Sequence, residues 1–374
     1  MANIEDLLDI LNWNGLAGWV GAIFNLGLTV RIEHHIDECR AQGIMNGNIL
    51  CTILRIGEEY FNLVSHFFQS NNPHSLKVYY LSRRQNSHFL AITERSVMSF
   101  NDWMNEHPIL INGNLLHTDN FLYPFRSLLK SVLHVLEIYP DFLLHANAVY
   151  ITGNQNGERH FKIAIIEGSN RVARRPLSCA NDLANLVRHW LAEHRQGQGH
   201  RDLDFLLYML SHLDIVEKLK MILKYPIFYV GNQKELLFHF AIKADLLLGH
   251  DKNRMVSASL EWALHKMGVT APNGQRLYAN SICWDRSRAI PEIVTCWRKA
   301  HGPISYEVQH LIMQIRNIGS HIFDRMTLSQ RTVTHEELYD NIELMCPGSW
   351  AAMFYAVMES NLMRPYFVSD EENL

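Results

Sequence analysis

The feature that most constrains the fold is a β-ribbon written between residues 143 and 166 of the 374-residue chain. One arm runs from Leu143 to Ile151. The connection Thr152-Gly153-Asn154-Gln155-Asn156-Gly157 is rich in turn formers and contains Asn-Gly, whose residues accept positive φ. The other arm runs from His160 to Ile166, where Phe161, Ile163 and Ile165 alternate with Lys162 and Ala164. A second strand pair reads from Leu76-Lys77-Val78-Tyr79-Tyr80-Leu81 through the turn Arg83-Arg84-Gln85-Asn86 to His88-Phe89-Leu90-Ala91-Ile92.

Helical spacing governs most of what remains. Residues 1–70 read as helical, with Leu54, Ile56, Tyr60, Leu63 and Val64 spaced for one helix between Leu50 and Phe68. The run Leu16 to Val30, apolar apart from Asn25 and Thr29, reads as a buried helix. Residues 94–105, 124–138, 180–194 and 202–224 are further helices, and 226–230 is a short strand. The turn Gly231-Asn232-Gln233 opens an apolar helix from Glu235 to Leu248. Beyond 250 the chain is mostly helical; Thr334 and Glu337 form a capping box, each able to bond the other's backbone amide. The sum is an α+β fold, mostly helical with a small mixed sheet in the middle of the chain. Three regions are expected: 1–124 helical with a hairpin, 125–300 an α+β core, and 301–374 helical.

Composition removes several function classes. Lys plus Arg is 34 and Asp plus Glu is 38, a net charge of −4, which argues against a nucleic-acid coat. The apolar fraction of 48% is that of a globular chain and excludes disorder. The apolar run at 16–30 is shorter than the about 20 residues of a bilayer span, so no stable membrane insertion is expected. Glu5, Asp6 and Asp9 precede it where a secretory signal would be positive. None of the six cysteines lies in a C-x-x-C pair, so no metal site is expected. In Glu33-His34-His35-Ile36-Asp37-Glu38, His34 and Glu38 would share a helix face, which a solvated surface explains as well as a metal does.

Candidate chemistry centres on the ribbon. Antiparallel pairing across the turn would bring His145, at the open end of one arm, beside Glu167, at the open end of the other. A carboxylate beside an imidazole fixes its tautomer and raises its basicity, as a general base requires. A nucleophile at a helix N-terminus would complete the set, because the dipole there lowers a thiol's pKa.

This arrangement resembles the YopJ-like effectors, acetyltransferases on the fold of the Ulp1-type cysteine proteases. The carrying residues are His145-Ala146-Asn147-Ala148-Val149, the apolar strand ending in Glu167, the segment Ile227 to Val230, Gln233, and Leu237-Phe238-His239-Phe240-Ala241-Ile242-Lys243. They span roughly 120–250, about a third of the chain. The resemblance implies His145 as base, Glu167 as acid and Gln233 as the oxyanion candidate. The family's cysteine falls on Glu235, or on Lys234 if the register slips by one, and its glycine on Leu236. Without a thiol there is no covalent intermediate, so the chain is either a degenerate relative, or another cysteine serves, or the kinship is accidental.

Cys179, in Arg174-Arg175-Pro176-Leu177-Ser178-Cys179, is the nearest cysteine in sequence, and positive neighbours would favour its thiolate. With the family's chemistry retained, acetyl-CoA and an inositol polyphosphate would be its ligands. The basic groups at Arg171, Arg174 and Arg175, at Lys218, Lys220 and Lys224, and at Arg286, Arg288, Arg298 and Lys299 are candidates to hold their phosphates, or simply surface. The partner implied is a host protein. Synthesis in a bacterial cytoplasm and delivery into a host cell follow from the same kinship. The acidic end Asp370-Glu371-Glu372 also resembles type IV secretion signals. Residence in the cytoplasm, an active cysteine enzyme, and an unrelated helical interaction protein are the alternatives. Asn147 stands where a nucleobase deaminase would carry its acid, and no cysteine pair follows, which sets that activity aside.

Overall fold

Strands, not helices, occupy most of the described chain from Thr29 to Gly57. The computed structural model describes residues 23–25, 29–37, 40–57, 61–69, 72, 74–81, 88–111, 115–138, 144–153, 159–163, 178–196, 200–213, 216–248, 254–268, 286–294, 311–326 and 333–360. The protein is α+β. Its chain divides into two compact units, residues 1–111 with 119–197, and residues 112–118 with 198–374. The region expected to be one core at 125–300 contributes to both.

In the first unit, β1 (Ile23–Asn25), β2 (Thr29–Asp37), β3 (Arg40–Met45), β4 (Ile49–Gly57), β5 (Val78–Leu81) and β6 (His88–Glu94) form one antiparallel sheet in the order β1-β2-β3-β4-β6-β5. The expectation of helices over 1–70 is therefore corrected for 23–57. Along β3, Ala41, Gly43 and Met45 point inward while Arg40, Gln42 and Ile44 lie half-exposed, the period of a half-buried strand. Val30, Ile32, Ala41, Met45, Cys51, Ile53 and Ile92 share the buried face. Each isoleucine there contributes roughly 1.5–3 kcal/mol by leaving water.

Asn46 and Gly47 turn β3 into β4 with φ of 50° and 82°. The Asn46 side-chain oxygen accepts the Thr29 amide at 3.0 Å, and its own amide donates to the Thr29 carbonyl at 2.6 Å. Gly43 lets β2 approach: a Cβ there would sit 2.5 Å from the Arg31 carbonyl oxygen. His34 stands on this strand, so the shared helix face with Glu38 does not form; Glu38 lies outside the described residues. Among the described residues of the expected 50–68 helix, those from Phe61 on are helical, in the helix Phe61–Gln69, while those up to Gly57 are strand.

Short strands follow at Met98–Ser99 (β7), Leu110–Ile111 (β8) and Leu115–Leu116 (β9). The predicted ribbon forms as β10 (Val149–Gly153) and β11 (Arg159–Ile163), with β7 completing a sheet in the order β11-β10-β7. The helix Tyr123–Ile138 lies along β11, fastened by Ser127 and Ser131, whose hydroxyls donate to the Phe161 carbonyl at 3.3 and 3.0 Å. An aromatic core fills the space beneath. Phe161 meets Phe100 and Trp103 edge-on at 5.4 Å each, and Trp190 meets Phe100 and Phe121 at 5.7 and 5.5 Å. Each indole N–H finds a carbonyl, Trp103 that of Asn120 and Trp190 that of His107.

The second unit is built mainly from helices: Arg201–His212, Val216–Ile222, Glu235–Leu248, Arg254–Lys266, Leu311–Met326, His335–Met345 and Ser349–Glu359. The last is buried almost all round, from Trp350 to Met358, as expected for a central helix. Residues 226–228 form a 3-10 turn rather than the expected strand, because Pro226 starts it and the Phe228 and Tyr229 amides bond back to Tyr225 and Pro226. The Thr334–Glu337 capping box is present, with both bonds at 3.1 Å.

Candidate functional site

The ribbon's register sets the fate of His145. Val149 faces Ile163 and Tyr150 faces Lys162. Continued four residues further, the same register would set His145 opposite Glu167. It does not run that far on the His145 side. Ala146–Ala148 coils into a 3-10 turn, with His145 as its N-terminal flank and the Ala148 amide donating to the His145 carbonyl at 2.9 Å. The expected strand beginning at residue 143 is thus corrected to one beginning at Val149. Glu167 lies outside the described residues. The His145 imidazole is half-buried and its pKa is lowered by burial alone. No charge among the described residues raises it, as a base prepared by a carboxylate would require.

Cys179 sits at the second position of the helix Ser178–Glu193 and is 1% exposed. Burial pushes its thiol up to about 12, and Asp182 on the next turn pushes the same way. Its own backbone amide and that of Ala180 pull against this and lose. That is the opposite of an activated thiol. Arg174 and Arg175, expected to favour the thiolate, lie outside the described residues. Cys51 is likewise buried and pushed up to about 11.

Gln233 and Glu235 belong to the other unit. Gln233 is exposed in a 3-10 turn, its backbone N–H donating to the Val230 carbonyl at 3.1 Å. Glu235 opens its helix in solvent, 3.6 Å from His239 and 4.0 Å from His335. Burial lowers the His335 pKa, with Glu235 opposing and His239 assisting. Beside them Lys234 bonds Asp340 at 2.7 Å and lies 4.6 Å from the Tyr339 ring centre. The nucleophile position is thus part of a surface ion network. A carboxylate so solvated has no dry pocket to sharpen it.

Two buried polar groupings were not foreseen from sequence. In the first unit Lys162, 8% exposed, bonds Glu94 at 2.6 Å. Alternation marked Lys162 as the residue opposite Phe161 and Ile163, but not that its face is also covered. In the second unit Asp202 and the carboxyl end of Glu343 are buried near Tyr225 and Tyr339. Burial raises Asp202 to about 6, against the opposing charge of Arg201. Burial and then the Asp202 charge push Glu343 well above the ordinary carboxylate value. Glu343 accepts the amides of Gly348 and Trp350, which pull its pKa the other way, as does Arg201. Aspartate in a helix's first turn is common enough that Asp202 gave no signal.

Among the described residues no group of three His, Cys, Asp or Glu side chains is placed to hold a metal ion. Among them, too, no helix is long and apolar enough to cross a membrane. No family model matches the chain, and no curated protein matches it.

Proposed function

We propose that this protein works by binding a partner protein and does not carry out cysteine acyl transfer: a degenerate relative of the YopJ-like effectors, made in a bacterial cytoplasm and acting on a host protein. One observation carries the non-catalytic part. The position matching the family's thiol is a solvated glutamate held by His239 and His335, while Cys179 is buried with its thiol pushed up to about 12. At neutral pH such a thiol is protonated and cannot attack a thioester. The kinship itself rests on the sequence pattern around His145, Gln233 and the helix from Glu235.

The test pairs an acyl-transfer assay with capture. Radiolabelled acetyl-CoA is offered to the full chain and to His145→Ala, with host lysate present. The reading predicts no label on the protein or on any lysate protein. It also predicts that one stoichiometric partner is retained equally by both forms. Label that appears with the wild type and vanishes with His145→Ala would replace this reading by the enzyme.

A further inference from the structure

Three helices of the second unit, Arg201–His212, Arg254–Lys266 and Ser349–Glu359, bring an aromatic cluster together at the surface. Buried Phe205 is its floor, with the rings of Tyr208, Trp262 and Tyr355 centred 6.4, 6.2 and 5.6 Å away. Trp262 stacks on Tyr355 at 4.9 Å and lies 5.6 Å from Tyr208, tilted by 48°. Trp262 is 38% exposed, and Tyr208 and Tyr355 are half-buried. Ala258, Trp262 and Lys266, at four-residue spacing on one helix, form an exposed stripe.

The polar groups at these rings are short of acceptors. The Lys266 ammonium lies 4.3 Å from the centre of the Tyr208 ring, and no carboxylate pairs with it among the described residues. The Trp262 indole N–H and the Tyr208 and Tyr355 hydroxyls likewise have no hydrogen-bond partner among the described residues. Glu359, one turn beyond Tyr355, is taken by Lys218 at 3.0 Å. His212 stacks on Tyr208 at 4.1 Å, its Nδ1 donating to the Tyr208 carbonyl at 2.8 Å. His265 is exposed beside Lys266, and half-buried Glu261 lies one turn before it. Tyrosine and tryptophan supply most interface hot spots, since each offers rigid apolar area with a polar tip. An ammonium among them that lacks a counter-ion favours a carboxylate and disfavours a cation.

Resting on the partner-binding reading above, we propose that the face of Tyr208, Trp262 and Tyr355 is where the partner docks. It takes an acidic peptide segment: an aromatic side chain lies on the rings, and a neighbouring carboxylate pairs with Lys266. The Trp262 N–H and the two hydroxyls then donate to the segment's carbonyl oxygens.

The experiment titrates the full chain, labelled with fluorotryptophan, with a blocked peptide carrying phenylalanine between two glutamates. Fluorine NMR follows the Trp262 resonance, assigned with Trp262→Phe. Two control peptides carry lysines in place of the glutamates, or alanine in place of the phenylalanine. The result expected is a saturable shift with the first peptide and binding at least about tenfold weaker with either control. Trp262→Ala weakens it by a similar factor. Lys266→Glu keeps the rings and reverses the preference, so that the lysine peptide binds more tightly than the acidic one. Absence of a saturable shift in the wild type overturns the proposal. So does equal binding of the acidic and basic peptides, or a preference that Lys266→Glu leaves in place. A dimer detected by sedimentation and lost in Trp262→Ala overturns it too, by giving the face to a second copy. A partner retained from host lysate as well by Lys266→Glu as by the wild type overturns this docking face and leaves the partner-binding reading standing. The expected peptide result together with acetyl transfer supports the face while that reading fails.

Discussion

The two units bury charge in opposite ways. In the first, the Lys162 ammonium and the Glu94 carboxylate meet at 2.6 Å, with side chains 10% and 19% exposed. Opposite charges there satisfy each other across one short contact. In the second, Asp202 and Glu343 carry the same sign, and Tyr225 and Tyr339 beside them are themselves pushed up by burial. A pair of acids out of water relieves itself by keeping a proton. The first arrangement is therefore sensitive to losing a partner and the second to changing pH.

The largest effect should come from splitting the ion pair. Glu94→Ala leaves a buried ammonium alone and also removes the carboxylate that accepts the Lys77 amide at 2.7 Å. A loss of about 3–5 kcal/mol is expected in urea unfolding. Glu94→Leu combined with Lys162→Met should recover most of it, because an apolar pair removes the stranded charge. A single variant as stable as wild type would mean that water reaches Lys162.

The carboxyl pair gives a prediction with the reverse pH slope. Folded pKa values raised above the unfolded ones mean that the protonated forms favour the fold. Their stabilisation is complete below the ordinary carboxylate range. It is lost as pH rises through about 6 for Asp202 and higher for Glu343. Thermal unfolding of the second unit should thus weaken from pH 4 to 7. Asp202→Asn should flatten that slope and gain roughly 2 kcal/mol at pH 7. A slope unchanged by the substitution would put the titrating group elsewhere.

Two smaller effects bear on packing in the second unit. Gly319 lies against Phe238: an added Cβ would fall 2.5 Å from the ring, which is 3% exposed. Gly319→Ala should cost about 1–3 kcal/mol, read as a lowered melting temperature. Thr334→Ala removes the Thr334 half of the capping box and should cost about 1 kcal/mol.

The same contrast runs through what the sequence disclosed. Local signals read true where one mechanism acts alone. Thr334 and Glu337 cap a helix, Asn156-Gly157 lies between two arms that pair, and the apolar spacing from Tyr123 to Ile138 makes a helix. The strands over 23–57 went unread although Asn46-Gly47, flanked by apolar runs, is a hairpin signal of the strongest kind. Leu54 and Ile56 read with Tyr60, Leu63 and Val64 as one helix, although their own two-residue spacing is that of the strand that pairs them with Ala91 and Phe89. Pairing across to β6 is tertiary, so the local trace lay in the Asn46-Gly47 turn alone. The site fared likewise. Where His145 and Cys179 fall along the chain could be read, but the 3-10 turn after His145 and the depth of Cys179 could not. Burial is decided by what packs above a residue.

The most direct test of the account is the pH dependence of alkylation at Cys179 in the native chain, followed by peptide mapping. Cys179 is expected to stay unmodified by iodoacetamide across neutral pH and to react only when the fold is opened by denaturant. Rapid native labelling with a midpoint below that of an ordinary thiol, lost in His145→Ala, would contradict it and restore a working nucleophile.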